Sequence, residues 1–129
     1  MGSVLKVCAS LVFALATTSA TFASPVGLWD FETGDTRVKV EMCGDGNALC
    51  GTLVWLKDTS YNVQYQKYLN TIMVKEARAT GPNRWRGDMN LMGQSATGTI
   101  KQISEDHLTI TGCAYLVVCK TYELYRHAE

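Results

Sequence analysis

The chain has 129 residues, 12 Lys and Arg against 12 Asp and Glu, and 47% hydrophobic residues. That length suits one domain with one core and little to spare. A formal charge of zero gives no electrostatic reason to expect nucleic acid or an anionic membrane as partner.

At the N-terminus Lys6 precedes the apolar run Val7 to Ala16, which is followed by small residues up to Ala23 and then Ser24-Pro25. The pattern predicts a secretory leader over residues 1–23, too short and wrongly flanked to span a membrane. Thr21 and Ala23 meet the small-residue rule for cleavage after Ala23, and cleavage after Ala20 is the alternative. One domain over residues 24–129 is therefore expected in the periplasm or outside the cell. It has no second apolar run long enough to cross a bilayer.

Losing Lys6 and Cys8 with the leader leaves the domain near neutral, with four cysteines at 43, 50, 113 and 119. An even count in a small exported chain favours disulfides. Each close pair brackets a turn, so the expected bonds are Cys43–Cys50 and Cys113–Cys119. Zinc sites use Cys-x2-4-Cys spacing with His or further Cys, and redox pairs use two intervening residues, so neither fits.

From Gly27 onward the hydrophobic pattern has period two, the signature of strands with one wet face. Gly27 to Phe31 reads as a first strand and Gly34-Asp35 as its turn. In Thr36 to Met42 the apolar Val38, Val40 and Met42 alternate with Arg37, Lys39 and Glu41. The Gly44-Asp45-Gly46-Asn47 turn tolerates positive φ, and Cys50 to Leu56 follows as a β-prone segment. From Lys57 to Asn70 the strand pattern lapses. Tyr61, Tyr65, Tyr68 and Leu69 fall at helical spacing there, which fits either a short helix or an irregular loop. Strands resume at Thr71–Ala77, Arg84–Met89, Thr97–Ile103, Leu108–Thr111 and Lys120–Arg126, with Gly81-Pro82-Asn83 and Ser104-Glu105-Asp106 among the turns. The expected interior comprises Leu28, Trp29, Val38, Val40, Leu53, Trp55, Ile72, Val74, Trp85, Ile103, Leu108, Ile110, Tyr122 and Leu124.

About eight short strands with short connections make an all-β antiparallel meander. Closing it into a barrel removes the exposed edges that invite aggregation; a two-sheet sandwich is the structural alternative.

Gly27-Leu28-Trp29, the alternation Val38-Lys39-Val40, Cys43-Gly44 and Leu49-Cys50-Gly51-Thr52-Leu53-Val54-Trp55-Leu56 together resemble the DUF2147 family of exported bacterial proteins. The resemblance runs over most of the domain and weakens after Leu56. It implies a lipocalin-like antiparallel barrel, or calycin, and no established activity. It further implies a fold signature in Gly27, Trp29 and Arg126, in which an arginine of the last strand packs across the indole of the first. Thr59 to Tyr65 and the segments Asn90–Ser95 and Thr97–Thr99 depart from the family pattern, which puts any binding surface built from those pieces in question.

The residues offer little chemistry. His107 follows an acidic turn and His127 lies near the C-terminus, so both are expected at the surface. There is no His-x-x-x-His, Gly-x-Ser-x-Gly or phosphate loop, and no metal, cofactor or enzymatic activity is expected. Arg84-Trp85-Arg86 reads most simply as a strand with its indole inward and its arginines outward. An eight-stranded barrel is either filled by side chains or holds one small ligand. The leading expectation is a small apolar ligand in the barrel, contacted by Trp55, Tyr61, Tyr65, Tyr68 and Trp85. The alternative is a filled barrel acting as a structural or protein-interaction module of the cell envelope.

Overall fold

The computed structural model describes residues 22–91, 93–114 and 118–128, with only the backbone of residues 60–62 and 114. Apart from Phe22 and Ala23, the expected leader lies outside the described residues. Eight strands follow in chain order: β1 (Gly27–Phe31), β2 (Thr36–Cys43), β3 (Ala48–Leu56), β4 (Ile72–Gly81), β5 (Arg84–Leu91), β6 (Gln94–Ser104), β7 (His107–Ala114) and β8 (Val118–Arg126). Each pairs antiparallel with the next, and β8 pairs back onto β1, so the meander is a closed barrel. The segment between β3 and β4 is a run of 3-10 turns over Ser60–Tyr68.

The antiparallel path assigns every connection to one of two ends. One end carries the start of β1, the β2–β3, β4–β5 and β6–β7 turns and the end of β8. A strap of chain before β1 crosses it: the Trp29 indole N–H donates to the Pro25 carbonyl at 2.9 Å, and the Gln102 amide donates to the Ala23 carbonyl at 3.0 Å. This is the strap end. The opposite, lid end carries the 3-10 segment, whose Tyr65, Tyr68 and Leu69 pack against the core.

Arg126 ties the strap to the barrel. Its guanidinium lies 4.3 Å from the centre of the Trp29 ring and donates to the carbonyls of Val26, Ser24 and Glu105. Position 27 must be glycine for this to fit, because a Cβ there would lie 3.0 Å from Arg126 Nη1. The register beneath is Trp29 opposite Arg126, Asp30 opposite Tyr125 and Phe31 opposite Leu124. Outside the same seam, Asp30 accepts from Arg37 Nε at 2.6 Å and hydrogen-bonds His127 Nδ1 at 2.8 Å. Neither histidine is the loose surface group that its position suggests, since His107 Nε2 lies 2.6 Å from Glu123 Oε1 and stacks on Tyr125.

Trp29, Leu53, Ala77, Leu108 and Leu124 are wholly buried at the centre. Strict alternation misplaces four of the expected interior residues. Leu28 is out of phase with the buried Trp29 and Phe31 and is only half-buried. The other three are turned by bulges, each of which adds one residue and shifts the inside–outside phase. Between Arg37–Trp55 and Val38–Leu53 the extra residue is Val54, so Trp55 moves to the outer face beside Arg37, whose guanidinium lies 4.6 Å from its ring. Met73 is the extra residue between Thr52–Ile72 and Gly51–Val74, which turns Ile72 outward. Ile103 is the extra residue between Gln102–Leu108 and Ser104–His107, and it too is exposed. Tyr122 is half-buried, edge-on to Phe31 at 5.5 Å.

Two predictions follow from the seam. Arg126→Lys keeps the charge but loses the planar fork that serves three carbonyls and the indole; it is expected to cost about 1–3 kcal/mol, read as a lower urea midpoint. Partial burial pushes the Asp30 carboxyl up, but the hydrogen bonds and positive charges of Arg37 and His127 outweigh it and hold the group below its ordinary value. A carboxylate lowered in the folded state stabilises above the unfolded pKa of about 3.9 and loses that contribution as pH falls through the folded value. Asp30→Asn should therefore lower stability at pH 7 by about 0.5–1 kcal/mol and converge with the wild type as pH falls through the lowered folded value, in paired thermal melts.

Candidate functional site

Among the described residues three spaces compare as candidate sites; one of about 160 Å³ opens at the lid end among Leu91, Gln94, Ala96, Gly112, Val118, Lys120 and Tyr122, and the other two bear on the barrel axis and the strap end. The interior space among Val38, Val40, Leu49, Met73, Val74, Ile100, Leu108 and Ile110 measures about 20 Å³, and its lining is wholly apolar. That is about the room of one water molecule, in a lining that offers a water no hydrogen-bond partner; drug-sized ligands use roughly 300 Å³ or more. At the strap end an open groove of about 690 Å³ lies between the β2–β3 and β4–β5 hairpins.

The groove exists because β3 and β4 separate. Their ladder runs from the Leu53 bonds with Asn70 and Thr71 to the pair Leu49–Ala77 and no further. Beyond that pair the tips diverge, each held only by its other neighbour. Behind the divergence is a bulge in β4: Lys75 faces Asp88 and Arg78 faces Arg86, so Glu76 and Ala77 together oppose Gly87. Glu76 takes φ of 44°, a left-handed conformation that non-glycine side chains adopt at a cost. Bulges of this kind bend a strand, add twist and recur beside binding sites. The extra residue turns Ala77 fully inward and brings the Glu76 carboxylate over Gly44, where its Oε1 lies 2.6 Å from the place a Cβ at that position would take.

The Cys43–Cys50 disulfide stiffens the opposite wall. Within that hairpin Gly46 N–H donates to the Cys43 carbonyl at 2.9 Å, and Asn47 N–H donates to Asp45 Oδ1 at 3.0 Å. The second disulfide, Cys113–Cys119, joins β7 to β8 near the lid end. The groove is therefore floored by Ala48, Ala79 and the indole of Trp85 and rimmed by Met42, Asp45, Asn47, Glu76 and Arg78. Such a surface can hold an apolar side chain against the indole and meet charges of either sign at its rim.

The residues expected to contact a ligand do not meet in one place. Trp85, 8% exposed, lines the groove. Trp55 stands on the outer wall under Arg37. Tyr65 and Tyr68 are at the lid end, where the Tyr68 hydroxyl fills the space a side chain at position 93 would need. The side chain of Tyr61 lies outside the described residues. Glu76, Arg78 and Asp45 were missed as a set, since nothing in the sequence joins β4 to the β2–β3 turn. One signal was present: an isolated glycine within a strand pattern, Gly87, marks a bulge or a close backbone approach. Among the described residues no three His, Cys, Asp or Glu side chains gather as a metal site, and both histidines are held by carboxylates on the outer wall.

A closed eight-stranded meander with Gly27, Trp29 and Arg126 interlocked at its seam is consistent with a calycin-type barrel. The chain belongs to the DUF2147 family, described as an uncharacterized protein conserved in bacteria, whose model matches residues 27–126. No curated protein and no solved structure matches the chain.

Gly87 tests the groove's geometry. A Cβ there would lie 2.7 Å from the Ala77 Cα, a backbone atom that cannot swing aside. Gly87→Ala is expected to cost about 1–3 kcal/mol, and hydrogen exchange should show the loss of protection concentrated at residues 74–79 and 84–89 rather than in the β1–β8 seam.

Proposed function

We propose that this protein is an exported, non-catalytic binding module of the bacterial cell envelope, which engages its partner on the outside of a filled barrel. The observation that carries this reading is the contrast between an interior space of about 20 Å³ and a rim groove of about 690 Å³. A carrier of apolar small molecules needs the reverse. The barrel serves as a rigid support, and its strap end presents Trp85, Glu76 and Arg78 to the partner. Gly44, one of the residues that carry the family resemblance, lines one wall of that surface, and the Cys43–Cys50 disulfide stiffens the hairpin behind it. The leader pattern and the two disulfides support export, since such bonds persist in oxidising compartments.

The strap bears on where the leader is cut. Gln102 is 4% exposed, and its side-chain amide donates to the carbonyl of Ala23. Cleavage after Ala23 removes that acceptor, whereas cleavage after Ala20 keeps it. A buried amide without a partner is costly, so the mature chain is proposed to begin at Thr21.

Native mass spectrometry of the protein purified from its own periplasm tests both points at once. The expected mass is that of a chain starting at Thr21, with two disulfides and no bound small molecule. An apolar molecule released in stoichiometric amount on unfolding contradicts the filled-barrel reading, and a chain starting at Ser24 contradicts the role given to Gln102.

A further inference from the structure

Arg84 and Arg86 stand two apart on β5 with the buried Trp85 between them, so both point out of the barrel. Their cross-strand partners are Lys101 on β6 and Arg78 on β4. All four are exposed. Residues directly opposite across an antiparallel ladder share a face with Cβ atoms about 5 Å apart, and like charges so placed repel each other. The outer wall thus holds two such like-charge pairs side by side. Among the described residues none of the four makes an ion pair; the contact recorded for the strip is Arg86 Nη1 donating to Thr99 Oγ1 at 3.1 Å. The carboxylates bordering it are Glu76, at the groove, and Asp88, which faces Lys75.

A near-neutral chain has carboxylates to spare, and yet none stands between these cations. A repulsion of this kind left in a fold points to a use that offsets it. Beside the strip at the strap end stands Ile103, 47% exposed and turned out by its bulge two residues past Lys101, and Met42, 37% exposed, lines the groove together with Arg78. Cations clustered beside protruding apolar side chains match the two requirements of a peripheral membrane contact, attraction to anionic headgroups and shallow apolar insertion.

We propose that Arg78, Arg84, Arg86 and Lys101 dock the barrel, by its β4–β5–β6 wall, onto an anionic lipid surface. This deepens the envelope reading above and rests on it, because the surface must be one that the exported protein meets. It does not depend on whether the interior is filled.

The test is co-sedimentation of the full mature protein with vesicles of phosphatidylglycerol and phosphatidylcholine, against vesicles of phosphatidylcholine alone. Binding is expected only with the anionic lipid and should weaken as salt rises from 50 to 500 mM, by roughly the screening expected for exposed charges. The triple variant R84Q/R86Q/K101Q should lose about fivefold in partition coefficient for each cation removed, while Lys39→Gln on another wall changes nothing. Ile103→Ser should weaken binding without altering its salt dependence. Because the substitutions relieve repulsion, the triple variant should melt at or above the wild-type temperature, which a merely structural role for these residues would not allow. Absence of binding to anionic vesicles, equal binding to neutral ones, or undiminished binding by the triple variant overturns the proposal. So does tighter binding to a mixed-sequence oligonucleotide, or displacement by millimolar inorganic phosphate. Native mass spectra showing an empty barrel stand through any of these outcomes, so the two readings fail separately.

Discussion

The contact between the Arg126 guanidinium and the Trp29 indole is the constraint on which the rest of the fold depends. A meander of eight strands is only a sheet until its last strand finds its first, and here the two meet over three register pairs with one further backbone bond at each end, Glu32 to Glu123 and His127 to Leu28. So short a seam needs side-chain help. Arg126 supplies it by joining β8, the β6–β7 turn and the strap to the ring at the bottom of the core. Its five N–H donors are fixed in a plane, so satisfying several carbonyls at once also fixes the angle at which the strap crosses the barrel mouth. The strap, held by the Trp29 indole and the Gln102 amide, crosses part of that mouth, and Trp29 and Leu124 are wholly buried in the core behind it.

Packing in the middle leaves little for the interior to do. Side chains from all eight strands join one core cluster, and among the described residues the space at its centre measures about 20 Å³. In the proposed binding role, recognition falls to the surface, where the strands deviate from regular pairing. The β4 bulge is the main deviation. It strains Glu76, parts β3 from β4, and delivers Arg78 to a position that belongs both to the groove and to the cationic strip. One added residue thereby connects a local backbone irregularity with both candidate surfaces at the strap end.

The fold class was legible because its determinants are local. Alternation marks strands, glycine and asparagine mark turns, and short connections permit only antiparallel neighbours. The seam was legible through resemblance alone, since Arg126 taken by itself is an ordinary terminal charge. Facing direction was less legible: Trp55 lies just past an extra residue, Ile72 just before one, and Ile103 is one itself, and a period-two pattern carries no mark of where the phase slips. Both candidate surfaces escaped the sequence for a different reason. The groove joins the turn around Asp45 to Glu76, and the strip joins Arg78 to Lys101; only the barrel's register brings them together. A net charge near zero concealed the strip, because the sum is insensitive to segregation of charge over the surface.

The central claim is that the barrel is solid and works from its outside. It is tested most directly by methyl NMR of the folded protein titrated with a small apolar probe such as benzene or xenon. A solid barrel should give no saturable shift at the inward methyls of Val38, Leu53, Leu108 and Leu124, with any weak, non-saturating shifts confined to exposed methyls such as those of Ile72 and Ile103. Saturable shifts at the inward set would mean that the interior opens to ligands and that the barrel is not solid.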